Sequence, residues 1–341
     1  MRITVLVPRR ALDGATRVLG EYAGRLRARN HDVTVVYRRS ATDVWRWFGW
    51  PFRRRTRDAL DECGCPVVGV AAMTPDVVPD GDVILTTGLR TVREAAALPR
   101  EKGRLVEIVN GTIELAQSPA EARQVMALPV RRVAVSPSVA GFLKEHFGVD
   151  ASVVPNGVDH AQFYNSDRQF RTPRSVGMIY VDDPMKGNAE GFEAMRRVRD
   201  KVPDVRLVLF GARRPHDAPP RVEIYVRPRT SRLRAIYSSC DMWLAPSRSE
   251  GFGLPVLEAM ACRVVPIATR AGGHVDLVED GVNGFLVPVG DAEAMADRIG
   301  FLLQDESVLR KVSEAAHERS LLFDWDKSAE QLETLLKEWM A

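Results

Sequence analysis

Asp241-Met-Trp-Leu-Ala-Pro-Ser-Arg-Ser-Glu-Gly-Phe-Gly-Leu-Pro-Val-Leu-Glu258 is the stretch whose reading decides the fold. The apolar run Asp241–Pro246 predicts a strand, and a helix is predicted from about Leu254. Pro255 falls near the first helical position, where its missing N–H costs nothing. The loop Ser247–Gly253 lies between them, and Gly251 and Gly253 leave its backbone open. Free N–H groups at a helix N-terminus form an anion site suited to a diphosphate. Glu250 stands in the loop and Glu258 inside the first turns of the helix. Two carboxylates beside a diphosphate repel it unless they accept hydrogen bonds from hydroxyls, each such charge-assisted bond worth about 1.5–3 kcal/mol. The plainer alternative makes them helix-start acids, favoured by the macrodipole by about 0.3–1 kcal/mol. A Glu-x7-Glu spacing alone does not choose between these readings. The whole string, with its glycines, proline and preceding strand, is far more specific.

Outward from this string, short β-branched runs alternate with amphipathic helical stretches, the pattern of parallel α/β sheets. Strands are predicted at 2–8, 32–37, 67–70, 83–86, 105–109 and 133–135, with helices at 16–29 and 136–148. A turn-rich segment from Val153 to Pro173 reads as a linker. The alternation restarts with strands at 175–181, 205–210, 222–226, 241–246 and 264–268, and helices at 188–201, 230–239 and 255–262. Three closing helices are predicted at 291–303, 305–321 and 326–339. The fold class expected is α/β: two doubly wound Rossmann-like domains facing across a cleft. Their bounds are 1–165 and 166–322, with a last helix, 323–341, crossing back to the first domain.

The chain has 341 residues, of which 45% are hydrophobic, enough for two packed domains. No apolar run reaches the roughly 18 residues that span a bilayer. Met1–Pro8 reads as a buried strand rather than a signal peptide. Cys63-Gly-Cys65 is too tight for a usual zinc pair, and the four cysteines read as reduced thiols, consistent with a cytoplasmic location. Residues 1–150 carry 23 Lys+Arg against 17 Asp+Glu, whereas the remainder carries 25 against 28. An electropositive first half suits an anionic partner, such as a membrane surface or a phosphate-bearing acceptor, and equally a solvated Arg-rich surface.

Several strings give the chain a family resemblance. They are Val135-Ser-Pro, Val154-Pro-Asn-Gly-Val-Asp159, Lys186-Gly187, Val208-Leu-Phe-Gly211, Ile236-Tyr-Ser-Ser-Cys-Asp241, Pro246–Cys262, Gly272-Gly273 and Glu279–Pro288. With these the chain resembles the retaining glycosyltransferases of family 4, the glycosyl transferases group 1, of GT-B fold. The resemblance implies transfer of a sugar from a nucleotide diphosphate sugar to an acceptor hydroxyl with retention of configuration. It implies Glu250 on the donor sugar, Glu258 on the nucleotide ribose, Lys186 on the diphosphate and the Gly14 loop near the donor. Gly251, Phe252, Gly253 and Leu254 would line the donor. A cation at Lys186 makes physical sense, because a leaving nucleoside diphosphate gathers negative charge as the glycosidic bond breaks. A nucleotide-sugar epimerase of the same fold and a non-catalytic sugar-nucleotide-binding subunit are the rival readings.

Four positions depart from the family pattern. Gly177 is followed by Met178 rather than by arginine, and Arg213 and Arg214 are candidates to replace that cation. Asn110 stands where a histidine is usual; it can hydrogen-bond a hydroxyl but cannot act as a base. Arg263 and Asp13 each replace a glycine. Asp182-Asp183-Pro184 reads as a turn rather than a metal motif, so metal-independent transfer without a cofactor is expected. His274, after Gly272-Gly273, is a candidate for approaching the donor. Val44–Arg57 gathers Trp45, Trp47, Phe48, Trp50 and Phe52 beside Arg46, Arg53, Arg54, Arg55 and Arg57. Such a segment suits a headgroup interface, which would place the protein peripherally at the inner membrane face, or sugar stacking, or simple packing on the core. Nothing in the sequence points to nucleic acid.

Overall fold

The computed structural model describes residues 1–11, 13–39, 58–170 and 172–341. Val44–Arg57, with its Trp45, Trp47, Phe48, Trp50, Arg53, Arg54 and Arg55, lies outside the described residues.

Two compact units divide the chain. Residues 1–156 and 325–341 form the first, and residues 157–324 form the second. Among the described residues the first unit holds a seven-stranded sheet: β1 (Arg2–Val7), β2 (Asp32–Arg38), β3 (Val67–Val70), β4 (Val83–Thr86), β5 (Arg104–Val109), β6 (Arg131–Ala134) and β7 (Ser152–Val153). Its order is β3-β2-β1-β4-β5-β6-β7, and every pairing is parallel. β4 is buried along its whole length, as expected of a strand covered on both faces. Asp13 caps the helix Gly14–Ala28 by accepting the Thr16 N–H at 2.8 Å. The residue that departs from a glycine pattern is thus an ordinary N-cap. The last helix, Trp325–Met340, packs against Gly14–Ala28, with Trp325 fully buried and edge-on to Tyr22 at 5.6 Å.

The second unit holds β8 (Ser175–Tyr180), β9 (Arg206–Gly211), β10 (Val222–Val226), β11 (Met242–Ala245), β12 (Val265–Thr269) and β13 (Phe285–Val287). All pair in parallel in the order β10-β9-β8-β11-β12-β13. From β8 the chain builds outward through β9 to β10. It then returns to β11, beside β8, and builds the other way. The order therefore reverses between β8 and β11, and ligands of doubly wound sheets bind beyond the strand ends at such a point. Met178, Phe192, Met195, Leu207, Leu244 and Ile267 form part of the core beneath. One polar network pins the start of this pair of strands. Asp241 Oδ2 accepts the Ser175 N–H at 2.8 Å and the Ser175 hydroxyl at 3.0 Å, while its Oδ1 faces Arg168 Nη2 at 3.1 Å. Burial raises the Asp241 pKa, and Arg168 works against that rise.

Candidate active site

Three loops meet at the C-terminal ends of β8, β11 and β12, and glycines let their backbones touch. The first holds a 3-10 turn, Pro184–Lys186, which Asp183 caps by accepting the Met185 N–H at 2.9 Å. This is the turn expected of Asp-Asp-Pro. Gly187 follows with φ +66°, and a Cβ there would lie 2.0 Å from Pro246 O. The second loop joins the first through Arg248 N–H, which donates to Met185 O at 2.8 Å. The third loop joins the second at Gly272 and Gly273. Gly273 N–H donates to Glu250 O at 3.0 Å, and a Cβ on Gly272 would lie 1.9 Å from that same oxygen. No side chain fits at either contact.

This packing brings Lys186 and Glu250 together from positions 64 residues apart. Lys186 Nζ lies 2.8 Å from Glu250 Oε2, and the Ser247 hydroxyl donates to the same oxygen at 3.2 Å. Both side chains are largely but not fully covered, 24% and 18% exposed, so the pair faces a partly dry setting that remains open to a ligand. Burial works to raise the Glu250 pKa. Lys186, His274 and the two hydrogen bonds outweigh it and hold the carboxyl below the usual carboxylate range. Glu250 is therefore an ionised, acceptor-only group.

His274 is placed differently from a donor contact. Its ring is buried, 1% exposed, and its Nδ1 donates to Thr269 O at 3.1 Å. Burial lowers its pKa against the pull of Glu250, and the Thr269 carbonyl requires a proton on Nδ1. Thr269 is tied in turn to the second loop, its hydroxyl donating to Ser247 O at 2.5 Å. His274 and Thr269 thus form the floor on which Ser247 and Glu250 rest.

Gly253, with φ +102°, is the N-cap of the helix Leu254–Ala261, and Pro255 stands in its first turn. Phe252 is buried and edge-on to Phe323 at 5.8 Å, so its side chain packs inside the unit. Leu254 is buried as well. What this loop can offer a ligand is therefore mainly backbone, beginning at Gly251. Glu258 lies along the same helix, 2% exposed, and accepts a hydrogen bond from Tyr237 Oη at 2.6 Å.

The proposed replacement cations are both exposed. Arg213 Nη1 pairs with Asp182 Oδ2 at 3.2 Å, with both side chains well exposed, and Arg214 is exposed too. Met178, the residue in the expected arginine's place, is fully buried in the core, its Sδ turned toward Gly191. A cation would not fit there, and the residue that ends β8 is Tyr180, stacked on Phe192 at 6.3 Å. Arg263, with φ +59°, pairs with Glu314. In the first unit, Gly14 opens its helix with open space where a Cβ would stand. Asn110, just beyond β5, donates from Nδ2 to the Thr87 hydroxyl at 3.1 Å. Among the described residues, no group of three or more His, Cys, Asp or Glu could hold a metal ion, and no helix is long and apolar enough to cross a membrane. Ser247, Thr269 and Tyr237 are the residues the sequence reading missed. Each lies in or beside a string already singled out, but a hydroxyl's partner is set by the fold.

The sequence profile of the glycosyl transferases group 1 matches residues 165–319, and that of glycosyltransferase family 4 matches residues 12–162. Over 217 residues the chain is 28% identical to a phosphatidyl-myo-inositol mannosyltransferase of Mycolicibacterium smegmatis, covering 60% of this chain and 56% of that protein. It is 32% identical over 234 residues to a D-inositol 3-phosphate glycosyltransferase of Xylanimonas cellulosilytica, with 60% and 56% covered. The chain thus spans a little over half the length of these curated relatives. Its fold matches the sucrose-phosphate synthase of Thermosynechococcus elongatus, with a TM-score of 0.80, 18% identity and 99% of both chains covered. It also matches the Anabaena protein HepE in complex with UDP-glucose, with a TM-score of 0.81, 18% identity, and 99% and 100% covered.

Proposed function

The chain belongs to glycosyltransferase family 4 and has the GT-B fold, and from this premise we propose that it transfers a sugar from a nucleoside diphosphate sugar to an acceptor hydroxyl. The observation that carries the reading is the Lys186–Glu250 pair, at 2.8 Å, at the point where the second sheet reverses its strand order. Lys186 supplies positive charge where a diphosphate leaves, and the ionised Glu250 has lone pairs for the hydroxyls of the departing sugar. Glu258, oriented by Tyr237, accepts from the ribose diol. The open backbone at Gly251 and Gly253 faces the diphosphate, and Leu254 begins the helix behind it.

Transfer proceeds with retention and without a bound metal, because Lys186 and the backbone amides take the place of a cation at the diphosphate. The acceptor is a hydroxyl of a polyol or of a lipid-linked glycan. The names of the relatives, both inositol-directed, support that class, and so does the positive charge of the first 150 residues. Gly14, which opens its helix, and Asn110, just beyond β5, are the residues of the first unit proposed for the acceptor and sugar.

The test is incubation of the full chain with a panel of UDP-, GDP- and dTDP-sugars and inositol-type acceptors, with and without chelator. The reading predicts release of free nucleoside diphosphate and a product whose anomeric configuration matches the donor. An epimerised sugar with no released nucleotide, or binding with no turnover, would overturn it. Inverted product would overturn retention alone, and loss of turnover on chelation would overturn metal independence alone.

A further inference from the structure

Cys63, Gly64 and Cys65 close the turn between the short helix Ala59–Glu62 and β3 in the first unit, whereas Lys186 and Glu250 belong to the second. Cys63 caps that helix, its N–H donating to Ala59 O. Gly64 has φ +68° and open space where a Cβ would stand, so the chain doubles back on itself. Cys65 Sγ ends 3.6 Å from Cys63 O and 3.4 Å from Ala23 O, while Cys63 Sγ lies 3.3 Å from Leu60 O. Only Gly64 separates the two thiols, and the positive charge of Arg27 acts on both. Both are partly exposed and unbridged, whereas Cys240 and Cys262 are buried.

We propose that Cys63 and Cys65 form a redox dithiol, which a peroxide oxidises reversibly to a Cys63–Cys65 disulfide. The sulfur of Cys63, as thiolate, attacks one oxygen of the peroxide. The O–O bond breaks, hydroxide leaves and takes up a proton as water, and Cys63 becomes a sulfenic acid. The sulfur of Cys65 then attacks the sulfur of Cys63. The S–S bond forms, the S–O bond breaks, and the departing hydroxide takes the Cys65 proton as a second water. Two electrons pass from the thiol pair to the peroxide, and a dithiol reductant returns them.

The local chemistry favours this order of events. The neighbouring Cys65 thiol, opposed by burial and aided by backbone hydrogen bonds and Arg27, draws the Cys63 thiol down to about 6, while its partner is pushed up. The lowered value favours the thiolate, the nucleophilic form, at Cys63, with Cys65 two residues on as the resolving thiol. Burial pushes Cys240 and Cys262 up to about 12, which makes them internal controls. The pair also has a structural neighbour at the other end of its helix. There Asp58, the N-cap, is held by Arg10 from the loop after β1, with Nε–Oδ2 at 2.6 Å and Nη2–Oδ1 at 2.8 Å.

The experiment treats the folded full chain with hydrogen peroxide, alkylates it in denaturant and measures tryptic masses. The peptide 58–90 contains both Cys63 and Cys65. It should lose two hydrogens and resist alkylation, regain both thiols with dithiothreitol, and leave Cys240 and Cys262 fully alkylated. In the untreated native protein at pH 7, Cys63 should alkylate at least about tenfold faster than Cys240 or Cys262. The Cys65→Ser variant should form no disulfide and should accumulate a sulfenic acid on Cys63 that dimedone traps. Full alkylation of Cys63 and Cys65 after peroxide would overturn the proposal, as would sulfinic acid on Cys63 with Cys65 still free.

Discussion

At the scale of single residues, the site rests on one cation and one carboxylate whose charges need each other. Lys186→Ala removes the cation proposed for the leaving diphosphate, a loss expected to lower kcat about 10²–10³-fold, or roughly 3–4 kcal/mol, as for other preorganised electrostatic contacts. The same substitution leaves burial acting on Glu250 with its strongest opponent gone, so the Glu250 pKa should rise. The sign follows for stability. In the wild type the lowered pKa stabilises the fold above the ordinary glutamate value of about 4.3, and this contribution fades as pH falls through the lowered folded value. The melting-temperature gap between wild type and Lys186→Ala should therefore be present at pH 7 and shrink as the pH falls below 4. A gap independent of pH would contradict the pairing. Tyr237→Phe tests a second residue. It takes a donor from the buried Glu258, and an unfolding free energy lowered by about 1–3 kcal/mol, read from denaturant titration, is expected; an unchanged value would show the bond to be dispensable.

At the scale of elements, the site exists because three loops touch through backbone. Gly187→Ala puts a Cβ 2.0 Å from Pro246 O at a positive φ, on the order of 1–3 kcal/mol for the conformation alone. Thermal unfolding should show that loss, and a variant as stable as wild type would mean the loops can part. Arg168→Met leaves Asp241 buried without its partner, and about 3–5 kcal/mol of stability should go with it. Urea denaturation measures that directly. Most elements were legible in the sequence. The fully buried runs at β4, β11 and β12 announce themselves by composition, and Ser136-Pro137 and Gly148 mark both ends of a helix as capping chemistry requires. The helices Leu89–Ala96 and Pro119–Met126 were not anticipated, since eight residues give little more than two turns of periodicity. β7 and β13 were missed because two or three residues carry no pattern at all. Within the site, Lys186, Glu250 and Glu258 could be named from their strings. The burial of His274 and Met178 could not, because which face of a loop or strand turns inward is settled by packing. Met178 shows the consequence: a position that looked like a missing cation proves to be core.

At the scale of the molecule, the first unit is built from both ends of the chain. Trp325 seals the last helix against Tyr22, with Arg25 over its ring at 5.9 Å. Trp325→Ala should remove about 3–5 kcal/mol, read as a lower unfolding midpoint of the first unit; a midpoint left in place would show that helix to be peripheral. The second unit carries the donor chemistry in this account, and its sheet order places Lys186 and Glu250 where a doubly wound sheet binds its ligand. The measurement that bears most directly on that claim is steady-state turnover of nucleoside diphosphate sugar by the full chain and by Lys186→Ala, assayed as released nucleoside diphosphate. Turnover by the wild type and a fall in kcat of about 10²–10³-fold in the variant are expected. Undiminished turnover in Lys186→Ala, or none by the wild type with any donor, would contradict that claim.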